Sequence, residues 1–133
     1  MPEKTTEKKA KAALRSGKSP TTAAGEFVRE EIEHVREGKH GARSPEQAIA
    51  IGLSKARRAG IPLKPPKKGQ AKKRTRRSAR RDYEVGQGKR KPRSPSQKRS
   101  KATSRALKRE PKASVSRGAL SRHAKRAARK RSR

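Results

Sequence analysis

Apolar side chains recur at helical spacing between residues 19 and 63 and thin out on either side. Ala24, Val28, Ile32 and Val35 follow one another at steps of four, four and three, with Phe27 beside them, which places them on one face of a helix. Ser19-Pro20 opens that helix, as N-cap and first-turn proline, and Gly38 stops it. Glu26, Glu30, Glu33 and Glu37 form an acidic stripe on the other side, read as solvated. Glu31 falls inside the apolar sector, where the sequence offers it no partner.

A second helix opens at Ser44-Pro45-Glu46-Gln47, an N-cap, a first-turn proline and a capping-box glutamine. Ala48, Ile49, Gly52, Leu53 and Ala56 line its apolar side. Gly60 suits the left-handed position past its end, Ile61 can pack back on the last turn, and Pro62 forbids continuation. A short loop joins the two helices, so the pattern predicts an antiparallel hairpin over 19–63. Gly52 either permits close approach or is a flaw costing about 1 kcal/mol. A hairpin of this size is marginal alone, so a second copy or a protein partner is expected on it. Ile51 points away from the expected seam.

Outside the hairpin the pattern weakens. Residues 1–18 read as a flexible basic segment in which Lys4–Arg15, with Ala10, Ala13 and Leu14, frays. Residues 64–69 are a stiff Pro/Lys linker, and 70–133 a disordered basic tail with helices induced by ligand. Arg43-Ser44-Pro45-x-Gln47 recurs as Arg93-Ser94-Pro95-x-Gln97, ahead of Lys98 to Arg109. Thr103-x-x-Ala106-Leu107-x-Arg109 recurs as Ser116-x-x-Ala119-Leu120-x-Arg122. The expected fold class is therefore mostly α: a small helical hairpin followed by a long, largely disordered basic tail.

Composition sharpens this picture. Of 133 residues 26% are hydrophobic, and 42 Lys/Arg against 11 Asp/Glu give a net charge of +31. Residues 1–66 hold 14 Lys/Arg and 8 Asp/Glu, whereas 67–133 hold 28 and 3. A half-chain so charged repels itself and calls for a polyanion. Its excess of 25 positive charges could neutralise about 40 Å of duplex DNA, or about 12 base pairs. The expected phosphate contacts are Lys72, Lys73, Arg74, Arg76, Arg77, Arg80, Arg81, Lys89, Arg90, Lys91 and Arg93. Farther on they are Lys98, Arg99, Arg105, Lys108, Arg109, Arg122, Lys125, Arg126, Arg129, Lys130 and Arg131. Gly88–Arg93 is similar to minor-groove hooks but lacks their Arg-Gly-Arg-Pro centre.

Other chemistry is thin. Without cysteine there is neither a disulfide nor a thiolate metal site. Glu30, His34 and Glu37 share a helix face, but one histidine among solvated carboxylates seldom holds a metal, so no metal or cofactor is expected. No nucleophile motif, phosphate loop or carboxylate pair appears, so the chain reads as no enzyme. A single tail aromatic, Tyr83, argues against base stacking. No apolar run suits a membrane span or a signal peptide, giving a cytoplasmic, nucleoid expectation with no membrane partner.

The runs Phe27–Ile32, Lys39–Ser44 and Gln47–Gly60 resemble a family of small basic bacterial proteins, described as domains of unknown function or as DNA-binding. The similarity covers residues 20–66, with an echo at Ala119–Arg122 and Ala127–Arg131. The resemblance implies a bacterial source and a DNA role. Together these readings predict a histone-like, nucleoid-associated protein with DNA favoured over RNA. The alternatives are an RNA- or ribosome-associated protein and an adaptor acting through the hairpin.

Overall fold

A computed structural model of the chain describes residues 4–94 and 96–131. Among them are α1 (Lys4–Arg15), α2 (Pro20–Arg36), α3 (Pro45–Arg58), α4 (Lys73–Gly86), α5 (Gln97–Arg109) and α6 (Arg117–Arg131), with a 3-10 turn at Ala113–Val115. Contacts divide the chain into two compact units, each discontinuous in sequence. The first takes the chain up to Glu30 together with Ile51–Arg93; the second takes Glu31–Ala50 and everything from Ser94 onward.

The first unit is built around Phe27, which is fully buried among Ala10, Ala23, Ala24, Ala56 and Ile61. Four of those neighbours are alanines, so helix backbones come close and one aromatic ring fills the space. Burying that ring contributes about 1.5–3 kcal/mol. Gly52 allows the approach: a Cβ there would lie 2.6 Å from Val28 Cα. Thr22 N–H donates to Ser19 Oγ at 3.2 Å, forming the N-cap of α2. The end of α3 closes as its sequence predicts. Gly60 has φ +100°, Ile61 N–H reaches Ala56 O and Gly60 N–H reaches Arg57 O, both at 3.1 Å.

In the second unit Val35, Ala42, Ala48 and Val115 are fully buried, with Ile32 packed against them. At the start of α3 Gln47 N–H donates to the N-cap Ser44 Oγ at 3.2 Å, and the Gln47 side chain reaches one residue past the cap, accepting from Arg43 N–H at 2.6 Å. The loop between α2 and α3 is bound by the chain that follows α5. Gly41 N–H donates to Leu107 O at 2.7 Å and Ala42 N–H to Pro111 O at 3.1 Å. Ser114 Oγ donates to Ala42 O at 2.6 Å, and Arg36 reaches Val115 O through Nε and a terminal nitrogen at 3.4 and 3.3 Å.

Several expectations are overturned. The basic tail is not disordered: α4, α5 and α6 occupy most of it. Self-repulsion fails to keep it open because the tail need not collapse on itself. A few small or apolar residues dock on the rest of the chain, Ala79 in the first unit and Val115 and Ala119 in the second, while cations point outward. Residues 4–15 do not fray; they are helical, with Ala10 buried and Ala13 and Leu14 packed on the same core. The acidic stripe is not uniformly solvated either, since Glu30 is 5% exposed. The second helix opener centres on Pro95, outside the described residues; α5 begins after Ser96, whose side chain makes no cap bond. The thirteen-residue echo is not a structural repeat, because Thr103 sits within α5 and Ser116 caps α6.

Candidate nucleic-acid interface

The first nine residues of α4, Lys73 to Arg81, include six cations and no acid. The inward side of this helix carries what docks it. Ala79 is 5% exposed, and Asp82 accepts from Ser54 Oγ at 2.5 Å and pairs with Arg58 at 3.9 Å. Gly86 packs so closely on Arg57 O that a Cβ would overlap it, and Gln87 Nε2 donates to Gly60 O at 3.2 Å. The spacing of residues 79, 82 and 86 gives one helix face. Arg57, 8% exposed, in turn donates to Leu63 O and Lys64 O at 3.1 and 3.3 Å, fixing the chain as it leaves α3. Burial pushes its guanidinium below the ordinary arginine value, partly offset by the Asp82 charge.

With that seam turned inward, Lys72, Lys73, Arg74, Arg77, Arg80 and Arg81 are exposed, and Arg76 alone among the α4 cations is half-buried. The Arg76 Nε–H is buried without an acceptor. Lys73, Arg74, Arg77, Ser78 and Arg81 line an open groove of about 690 Å³. Arg81 also lines a second recess of about 250 Å³ with Val85, Arg90, Lys91 and Arg93. Glu84 holds Arg90 there at 3.1 Å. The two acids of this segment, Asp82 and Glu84, are thus engaged within the protein. Like charges gathered on one helix face raise the local potential and concentrate anions. Lys89, like Arg90, Lys91 and Arg93, is exposed.

The remaining candidate contacts belong to the second unit. Lys98, Arg99, Arg105, Lys108 and Arg109 are exposed on α5, which has no buried residue. On α6 Arg122, Lys125, Arg126, Arg129, Lys130 and Arg131 are exposed. That helix is anchored by Ala119 and by Glu46, which His123 Nδ1 meets at 3.0 Å and Arg126 at 3.7 Å. Glu46 is held below the ordinary carboxylate value, chiefly by the hydrogen bond to its own backbone N–H and further by His123, against a smaller opposing effect of burial.

The structure also gathers residues that the sequence pattern did not group. The helix-face set Glu30, His34 and Glu37 is not the one that converges; Glu31, His34 and His40 do. The signal was Glu31 in an apolar sector nine residues before a glycine-flanked histidine. Among the described residues no helix is long and apolar enough to cross a membrane. Comparison with protein-family models, with curated proteins and with solved structures gives no match for this chain.

Proposed function

We propose that the chain is a nucleoid-associated DNA-binding protein that grips duplex phosphates on the outward faces of already folded basic helices, with little sequence specificity. The observation that carries the reading is α4: Ala79, Asp82 and Gly86 dock the helix on the first unit, while Lys73, Arg74, Arg77 and Arg81 are exposed together on its solvent side. Nine helical residues rise about 12 Å, a length over which duplex DNA presents about seven phosphates. The five exposed cations between Lys73 and Arg81 come within two of that number. Low specificity is expected where arginines meet phosphates rather than base edges. Neither Asn nor Gln, which read adenine bidentately, occurs in α4, and half-buried Tyr83 offers little for base stacking.

The test is duplex affinity as a function of salt. Five engaged cations give a slope of about −4.5 for log affinity against log salt, and contributions from α5 or α6 steepen it. Replacing Arg74, Arg77 and Arg81 by alanine makes the slope shallower by nearly 3 and weakens binding to all duplexes alike. A wild-type slope shallower than about −2, or loss confined to one sequence, refutes the reading. Structured RNA that displaces duplex DNA at equal concentration moves the assignment to RNA.

A further inference from the structure

We infer that Glu31, His34 and His40 form a binding site for one divalent transition-metal ion of the zinc class, at the turn between α2 and α3. Glu31 lies in the apolar sector of α2 with its side chain 1% exposed. Two imidazoles face that carboxylate: His40 Nε2 lies 3.2 Å from Oε2 and His34 Nδ1 3.6 Å from Oε1. The rings stand at 77° to one another with centroids 6.4 Å apart, so their nitrogens converge rather than stack.

The hydrogen-bond geometry of His40 orients one ring nitrogen toward Glu31. Its Nδ1 lies 2.8 Å from Gly41 O, and a carbonyl oxygen can only accept, so Nδ1 carries the hydrogen. In a neutral ring that leaves Nε2 as a lone pair aimed at a carboxylate oxygen. Nε2 is thus the ring nitrogen placed to coordinate a cation beside the Glu31 carboxylate. Donation of the second ring N–H to a backbone carbonyl is the arrangement that orients metal-binding histidines.

The distances are those a bound metal ion would need. Zinc–nitrogen and zinc–oxygen bonds of about 2.0–2.2 Å set neighbouring ligands of a tetrahedron about 3.3–3.5 Å apart. The two measured contacts, 3.2 Å from His40 to Oε2 and 3.6 Å from His34 to Oε1, each fall close to that span, and a small turn of the carboxylate brings one oxygen toward both rings. All three ligand atoms lie within 4.8 Å of one another, so the histidine–histidine edge closes by about 1.5 Å at most for ideal geometry. Two histidines and one carboxylate leave a fourth position for water, and imidazole with carboxylate suits zinc, cobalt or nickel better than calcium or magnesium.

The site has a structural consequence. Gly41, whose carbonyl orients His40, is itself fixed: its N–H is bound to Leu107 O, and a Cβ would overlap Glu110 O. An ion at Glu31 therefore tightens the α2–α3 turn and, through Gly41, the end of α5. The second unit has a thin core, the situation in which a metal contributes folding free energy. This inference does not depend on DNA binding.

The experiment uses the full-length, tag-free chain, stripped with chelator and free of nucleic acid. Zinc titration against a chromophoric chelator, and the visible spectrum of the cobalt form, give stoichiometry and coordination. One equivalent bound, an intense tetrahedral cobalt spectrum and a rise in Tm with zinc are expected. Glu31→Gln and His40→Ala should each weaken affinity at least tenfold, while His123→Ala leaves it unchanged. The wild-type spectrum requires no variant, so a variant that fails to fold does not blunt the test. No binding by the wild-type chain, an octahedral weak spectrum, or full retention of affinity in the folded His40→Ala protein overturns the assignment.

Discussion

At the scale of single residues the decisive quantity is often the space beside a Cα. Gly52 reads from sequence as either a close-approach site or a flaw, and the 2.6 Å gap from its absent Cβ to Val28 Cα decides for the first. Gly52→Ala must move a backbone; the expected loss is about 1–3 kcal/mol, read from chemical denaturation. Arg76 presents the opposite case, a buried Nε–H with no acceptor. Arg76→Met keeps the stem and removes the donor, so thermal stability should hold or rise by about 1 kcal/mol. Glu46 supplies a pH dependence. Its native pKa lies below the ordinary value, so its contribution is complete above the ordinary carboxylate range and fades as pH falls through the lower native value. On acidification the NMR resonances of α6 should therefore shift with a midpoint below that of a free glutamate, and Glu46→Gln should abolish that transition.

Helices are the scale at which sequence and structure diverge most. The ends of α2 and α3 were legible because caps are local: Ser19, Ser44, Gln47 and Gly60 each act within a few residues of themselves. The state of α4 was not, because three partners decide it, Ser54, Arg57 and Gly60, each more than twenty residues away in the chain. Charge density suggested an open coil, and only the placement of Ala79, Asp82 and Gly86 along one face shows how the helix docks. The same blindness hid Val115, an isolated valine in the sequence that becomes part of a core. Undocking can be tested at this scale. Asp82→Ala removes the acceptor of Ser54 Oγ and the charge beside Arg58, costing about 1 kcal/mol, and hydrogen exchange should speed up in α4 before it does in α1.

For the molecule as a whole, a charge of +31 on 133 residues is a load on the folded state. Screening lengths fall from about 10 Å at 0.1 M salt to about 3 Å at 1 M, so added salt should raise Tm while it weakens duplex binding. Opposite signs for the two responses are expected, and a Tm that falls with salt would count against a self-repelling native state. Short duplex DNA should raise Tm at low salt and leave the far-ultraviolet circular dichroism nearly unchanged, because the helices are formed before binding.

The interleaving of the two units also governs the order of events at the ribosome. Phe27, Ala48 and Ala56 are synthesised early, yet Val115, which shares a core with Ala48, follows much later. At ordinary elongation rates of about 5–20 residues per second the nascent chain waits on the order of several seconds for that partner. During that interval Val35, Ala42 and Ala48 lack the Val115 side chain that completes their core, so the late-arriving stretch has a part in biogenesis. Nascent chains halted before Val115 emerges should be markedly more open to protease in the 31–50 region than completed ones.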